Sequence, residues 1–451
     1  MSTKSPYWMA RRDNQHWRDE EILRSIEWLR AFQGDAEWSA RQARAKQNFE
    51  LGKRAWAEGN QQPLFDPDDM IAWYIFQAHA YALPDQRHDW FEPEAFRIAP
   101  IFKRLGQILP SLKRVSGIEG RARDLLNNNG KKQPDDVIYE LLVAGAYVRH
   151  GWSEVRFIDT TPGRGRTPDL VVEGDKRRWA VECKRVNRSG YEAQERARGD
   201  ELARPVHKLS RDLGRSVVFE VEFKEELMGI DDDYLASKLQ TFVRNGGDGR
   251  WDDDISVGKV RNVDWSLAAA VLRHDDVFFG SSRMVELLAG HYRADADHSV
   301  AAEWTPAPLR PLHATEMRQA SLVSWRSTSL EAKRKKARHF RYLVAKAEEQ
   351  LPCDMPGVVH VGYEAQDGNS VDAIRHQLNR EQVRTFKPEK SELRWVYANY
   401  LTPEHTNDPN EAAALSETTA HYRIGQHHKE QPLPSHLLFV DGGGTIGYHW
   451  G

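Results

Sequence analysis

Residues 167 to 186 read TPDLVVEGDKRRWAVECKRV, and this stretch restricts the fold of the 451-residue chain more than any other. Two apolar runs, Leu170-Val171-Val172 and Trp179-Ala180-Val181, flank the polar turn Gly174-Asp175-Lys176, the mark of two tightly joined strands. Charged residues sit against those runs: Asp169 at the start of the first strand, Glu182 and Lys184 on the second. Side chains two apart on a strand leave the same face. Glu182 and Lys184 therefore point together, and Cys183 points the other way, toward the packed side. Counting out from a turn centred near residue 175 sets Asp169 roughly opposite Lys184 or its neighbours. Two carboxylates and an ammonium then meet without any long-range folding.

The flanks extend this hairpin into a core. PDDVIYELLVAGAYVRHG opens with Pro134 and two acids, as helix N-termini favour, and then runs apolar. SEVRFIDTT is a short strand with Val155 and Phe157 on one face, and GRGRTP is a loop. A polar helix is expected from about 191 to 213, followed by the strand RSVVFEVEF. Helix, three strands, helix, strand is an α/β pattern, and it occupies residues 131–223. Residues 1–130 read as a helical domain, with apolar residues three and four apart in EEILRSIEWLRAF and PDDMIAWYIFQAHAYAL. Residues 224–328 are poorly patterned and read as an insertion or second domain. Residues 329–451 form a mixed α+β region able to complete the sheet. Its helix is SLEAKRKKARHFRYLVAKAEEQL, and its strands are PGVVHVGYEA, RWVYANYL and HLLFVDGGG. There is no internal repeat.

A length of 451 residues implies two or three domains. Hydrophobic residues at 40% and charged residues at 29% are those of a globular chain. No stretch supplies the ~20 apolar residues of a membrane helix. The N-terminus has no apolar run behind its positive charges, so no secretory signal is expected. Cys183 and Cys353 are the only cysteines, too few for a disulfide framework or zinc cluster. A reducing, cytoplasmic location follows as the expectation. A net charge of −3 excludes a generally basic coat, so nucleic-acid binding requires local basic patches.

Phosphodiester hydrolysis requires carboxylates that fix divalent cations beside the phosphate, where a bound water becomes acidic. A nearby lysine can orient that water or stabilise developing charge. Mg²⁺ takes few carboxylates, with waters and substrate oxygens completing its shell. Asp169, Glu182 and Lys184 are the groups this chemistry needs. Pro168-Asp169 followed by Glu182-Cys183-Lys184 resembles the PD-(D/E)xK nuclease superfamily of restriction endonucleases, Holliday-junction resolvases and phage-defence effectors. The resemblance covers about residues 134 to 223. It implies a restriction-endonuclease-like α/β core with a mixed central sheet, in the element order given above. It further implies Lys184 as the catalytic lysine and Asp169, Glu182 and the main-chain carbonyl of Cys183 as metal ligands. Glu140, in VIYELLVAG, matches the acidic residue such proteins carry on the preceding helix. The implied cofactor is Mg²⁺, with Mn²⁺ able to substitute, the substrate is nucleic acid, foremost DNA, and defence against foreign DNA is the analogous role.

Arg164 and Arg166 in GRGRT, and Arg185 and Arg188 beyond Lys184, are placed to grip phosphates. Lys333, Arg334, Lys335, Lys336 and Arg338 form the densest basic run, and KRLGQILPSLKRVSGIEGRARD adds Lys103, Arg104, Lys113, Arg114, Arg121 and Arg123. Each set is a solvated face or a nucleic-acid contact. Seven tryptophans precede residue 91 and read as core before base-stacking platforms. Gly442-Gly443-Gly444 lacks the lysine of a phosphate loop. His360 and His427-His428 have no zinc-type companions. Two rivals stand beside a DNA nuclease. One is a non-catalytic nucleic-acid-binding or assembly protein on the same fold. The other is an RNA-cleaving effector gated by a partner or ligand, with residues 224–328 as the sensor. A homo-oligomer or a partner protein is compatible with either.

Overall fold

The computed structural model describes residues 18–439 apart from 59, 61, 85, 87–88, 128–132, 159–166, 176, 187–189, 247–248, 294, 309, 338–339, 365–368, 409–410, 426–429 and 434–437. Helices come first: α1 (Glu20–Arg30), α2 (Asp35–Ala57), α3 (Met70–Ala82), α4 (Glu92–Leu112), α5 (Ile118–Leu126) and α6 (Pro134–Arg149). Asp19 caps α1 by accepting the Ile22 N–H, and Asp69 caps α3 through Ala72. The sequence of α3, MIAWYIFQAHAYA, has almost no polar face, and the helix is buried nearly all round. Trp28, Trp38, Trp73 and Trp90 are buried, which makes them core; Trp56 is exposed, and Trp8 and Trp17 lie outside the described residues. The helices do not keep a core to themselves. One apolar cluster runs from Ile22 through α6 to Val181, Cys183, Val358, Tyr397 and Leu438.

The chain continues as β1 (Glu154–Phe157), β2 (Leu170–Gly174), β3 (Arg177–Val186), α7 (Gly190–Asp212) and β4 (Val217–Phe223). The stretch that sequence pattern left unread holds α8 (Tyr234–Asn245), β5 (Arg250–Asp252), β6 (Ser256–Asn262), α9 (Trp265–Leu272), β7 (Val277–Phe278), α10 (Ser282–Ala289), β8 (Asp297–Ala307) and β9 (Arg310–Ser327). Then come α11 (Leu330–Ala337), α12 (Phe340–Glu348), β10 (Pro356–Glu364), α13 (Asn369–Thr385), β11 (Glu392–Asp408) and β12 (Glu411–Arg423). The helix expected from SLEAKRKKARHFRYLVAKAEEQL is helical over both of its described parts, α11 and α12, with residues 338 and 339 between them outside the described residues.

The strands form two sheets of mixed direction. The first has the order β1-β2-β3-β10-β11-β12, with β1, β2 and β3 antiparallel and β10 parallel to both β3 and β11. The second has the order β5-β6-β4-β9-β7, with β8 beside β9. RSVVFEVEF, read as the last strand of the core of residues 131–223, is β4 and pairs with β6 and β9 in the second sheet. Alternation and β-branched content make a strand but do not select its partner. The place beside β3 goes to β10, whose interior is buried on both faces, as a central parallel strand requires. α12 packs on β3 and β10, so a helix and a parallel strand do follow the meander, after the second sheet has intervened.

α6 covers the opposite face of the first sheet, close enough that a Cβ on Gly362 would meet the Tyr139 ring at 2.8 Å. Tyr139 donates to Asn399 Oδ1 at 2.7 Å, and Asn399 in turn donates to Glu417. Glu417 accepts the main-chain N–H groups of Leu438 and Phe439. Those two residues, the described part of HLLFVDGGG, are held by the Glu417 carboxylate and are not in a strand. Between the sheets, Lys336 pairs with Glu195, Lys335 with Glu226, and Arg375 with Glu192. Among the described residues no helix is long and apolar enough to cross a membrane.

Candidate active site

The hairpin of β2 and β3 closes in two residues, because Gly174 pairs with Arg177. Asp175 takes φ 47°, the left-handed backbone such a turn requires. The tight closure fixes the register. Leu170 faces Val181, so Asp169 falls opposite Glu182, two residues nearer the turn than Lys184. Beyond that last pair each carboxylate reaches across to the other strand. Asp169 Oδ2 accepts the Cys183 N–H at 2.8 Å, and Glu182 Oε2 accepts the Asp169 N–H at 3.2 Å. Lys184 Nζ donates to Glu182 Oε1 at 2.6 Å and to Gln350 Oε1, just past α12, at 2.7 Å. The three residues singled out in the sequence therefore converge.

A fourth charge comes from α5. Arg121 Nε stands 3.0 Å from Glu140 Oε2 on α6, and its Nη2 is 3.7 Å from Asp169 Oδ1. Glu140 thus reaches the cluster, but its carboxylate is joined to Asp169 through a guanidinium. It is placed on the preceding helix beside the cluster, as expected for a third acidic residue, with Arg121 lying between it and Asp169. Among the described residues no three acidic, histidine or cysteine side chains are gathered as a ligand cage. Arg121 occupies the apolar stripe of α5, between Ile118 and Leu125 at helical spacing, and is buried with it. That position was its sequence signal, hidden among the basic residues counted as surface.

Burial and charge make the site tense. Glu182 is 1% exposed, Glu140 3% and Asp169 7%, whereas the Lys184 side chain is 24% exposed and forms the mouth. Burial, reinforced by the Asp169 charge, holds the Glu182 carboxyl well above its ordinary range despite its bond to Lys184. Burial works to lower the Lys184 ammonium, but Glu182 outweighs it and keeps the amine protonated. Burial and the surrounding acids push the Cys183 thiol up, so only its main-chain carbonyl is a credible metal donor. Three carboxylates, Glu140, Asp169 and Glu182, face two cations, Arg121 and Lys184. A cation bound between Asp169 and Glu182 would offset the mutual repulsion of two buried carboxylates. The oxygen donors of Asp169 and Glu182 suit a hard cation.

The arginines divide. Arg185 lies on the α6 face of β3, where it pairs with Asp135 at 2.7 Å and Glu364 at 3.0 Å. The expected phosphate contact is corrected by strand alternation, which turns Arg185 away from Lys184. Arg164, Arg166 and Arg188 lie outside the described residues. Lys335 and Lys336 in the basic run hold Glu226 and Glu195 rather than open surface. Burial pushes His360 down to about 3, and its ring hydrogen-bonds Tyr147 at 3.0 Å, a neutral core histidine. Gln350 had no local signal, since it arrives from 166 residues downstream of Lys184. Compared with protein families, curated proteins and solved structures, the chain matches none.

Proposed function

We propose that the chain is a Mg²⁺-dependent nuclease of the PD-(D/E)xK type acting on DNA, with Mn²⁺ able to replace Mg²⁺. The observation that carries this reading is the crossed pair of buried carboxylates, Asp169 and Glu182, with the Lys184 ammonium 2.6 Å from Glu182. Asp169, Glu182 and the Cys183 carbonyl would hold the cation. When bound, it would acidify a water and neutralise charge on the scissile phosphate. The protein's own groups set the rest. The reciprocal main-chain bonds keep the two carboxylates from turning apart. Lys184, at the mouth, can donate to the attacking water or to a phosphate oxygen, and Gln350 holds its amine in place. The order α6, β1, β2, β3, α12, β10 supports the same reading, as an antiparallel meander followed by a helix and a parallel strand.

The decisive experiment incubates purified protein with plasmid, linear and single-stranded DNA and with RNA, in Mg²⁺ or Mn²⁺ and in chelator. Metal-dependent cleavage of DNA, lost in Lys184→Ala with the circular dichroism unchanged, is the expected result. No cleavage of any substrate by folded protein in either metal, or full cleavage by Lys184→Ala, would overturn the reading. A second reading, in which the nuclease is gated by a small ligand, is favoured by one feature. The second sheet carries an open groove of about 560 Å³ lined by Glu222, Arg250, Lys259, Arg293 and Arg326. Cleavage that appears only with a ligand bound there would select it.

A further inference from the structure

Helix α12 carries a line of side chains that ends at the Lys184 amine. Gln350, one turn past Lys346 and just beyond the helix, accepts the Lys184 hydrogen bond at 2.7 Å. Tyr342 lies one turn before Lys346 on the same side of the helix. The Lys346 amine stands over the Tyr342 ring, 5.6 Å from its centroid. The opposite side of α12 cannot turn outward, because Phe340, Val344 and Ala347 are buried in the apolar cluster shared with β10 and β11. Glu348 on that side also accepts the main-chain N–H groups of Glu389 and Lys390, both at 2.8 Å. The ridge is thus held in its outward direction. Tyr342 is 60% exposed, the most exposed large hydrophobic side chain among the described residues. Arg341, the neighbour in sequence, turns away from the ridge, donating to Thr385 at 3.3 Å with its guanidinium 5.9 Å from the Phe386 ring centroid.

We propose that this ridge is a track that brings a single-stranded segment of nucleic acid to Lys184, with a base stacked on Tyr342 and a phosphate at Lys346. The inference rests on reading Lys184 as part of a nuclease centre. An exposed aromatic ring backed by an ammonium complements an unpaired base and its phosphate; a duplex hides its base faces within the stack. The eight residue steps from Tyr342 to Gln350, the last two beyond the helix end, span about 12 Å. That is the length of three to four stacked nucleotides at about 3.4 Å each. A strand seated on the ridge therefore places a phosphate at the mouth of the carboxylate cluster.

The test measures fluorescence anisotropy of labelled single-stranded DNA, single-stranded RNA and duplex DNA in chelator, so that nothing is cut. Tyr342→Ala is expected to bind single strands about tenfold more weakly, the effect of losing one stacking platform, with duplex binding unchanged. Tyr342→Phe should bind as the wild type, because the ring face is kept. Lys346→Ala should weaken binding less and reduce the salt slope by about one. The DNA and RNA arms identify which strand the track takes, and Tyr342-dependent binding of either supports it. Equal loss on single strand and duplex, equal loss in Phe and Ala, binding of neither strand, or a change in oligomeric state in place of a change in affinity overturns it. The two proposals fail separately. Wild-type protein that cuts while Tyr342→Ala binds and cuts normally removes the track and leaves the nuclease. Tyr342-dependent binding by a protein that cuts nothing leaves the track and removes the nuclease.

Discussion

Two strands of this chain carry charged residues two apart beside an apolar run: β3 with Glu182 and Lys184, and β4 with Glu220 and Glu222. Their surroundings differ in depth and in what meets the acids. Glu220 is met by Lys259 at 2.6 Å, His291 at 2.8 Å and Arg261 at 4.0 Å. Glu222 is met by Arg293 at 3.1 Å and also by Arg326. On β4 each acid meets basic side chains from other strands and loops, with Arg293 and Arg326 shared with Asp295, and the acids tie these elements together. Around β3 the carboxylates lie deeper, with side chains 1% exposed at Glu182 and 10% at Asp169 against 15% at Glu220 and 36% at Glu222. A carboxylate buried beside a second carboxylate raises the free energy of the fold unless something binds it. This difference, rather than the shared spacing, separates a candidate metal centre from a structural ion-pair network.

The largest expected effect is on rate. Asp169→Ala and Lys184→Ala should each lower DNA cleavage about a thousandfold or more, the scale of removing a group that stabilises transition-state charge. Glu220→Ala should stay within a few-fold. Cleavage rates measured beside circular dichroism check this, and equal losses at Asp169 and Glu220 would erase the distinction between the sheets. Next in size is stability. Arg121→Ala leaves Glu140 and Asp169 buried without their shared guanidinium and should cost about 3 kcal/mol in urea unfolding. If it unfolds at the wild-type midpoint, Arg121 is not the counter-ion described here.

Much of the site was legible because it is local. Period-two alternation put Glu182 and Lys184 on one face, and a two-residue turn carried Asp169 to them. The register came out two residues from Lys184, because strands joined through residues 175 and 176 set Asp169 opposite Glu182. Arg121 was half legible, a charge inside an apolar stripe that composition alone counts as surface. Gln350 and β10 were not legible, since both reach the site across the intervening second sheet. Nothing in VVFEVEF or VVHVGYE states which sheet will accept it. The helices of residues 20–149 read correctly as helices, but their merger with the first sheet depends on packing partners far along the chain.

A smaller effect follows from metal binding itself. Mg²⁺ at about a hundred times its dissociation constant should stabilise the wild type by about 2.7 kcal/mol, seen as a rise in unfolding midpoint. Glu182→Gln should lose that rise and Glu222→Gln should keep it. A rise that survives Glu182→Gln, or disappears with Glu222→Gln, would place the cation elsewhere.

The smallest effect, on the order of 1 kcal/mol, concerns pH and tests the burial of Glu182 beside Asp169 directly. Burial and the Asp169 charge raise the folded-state pKa of Glu182 above its unfolded value. A group shifted that way contributes its stability below the unfolded value, about 4.3, where it is protonated in both states. That contribution is lost as pH rises toward and through the folded value, because the ionised form must then be held in a buried site. In chelator, the stability of wild type minus that of Glu182→Gln should therefore fall as pH rises from about 4.3. Glu222→Gln, measured alongside, controls for the general pH dependence of the fold. Saturating Mg²⁺ should flatten the fall for the wild type, since the cation stabilises the ionised carboxylate that the proton otherwise neutralises. A difference that rises with pH in chelator would mean that Arg121 and Lys184 already balance the cluster, and the contrast between β3 and β4 would disappear.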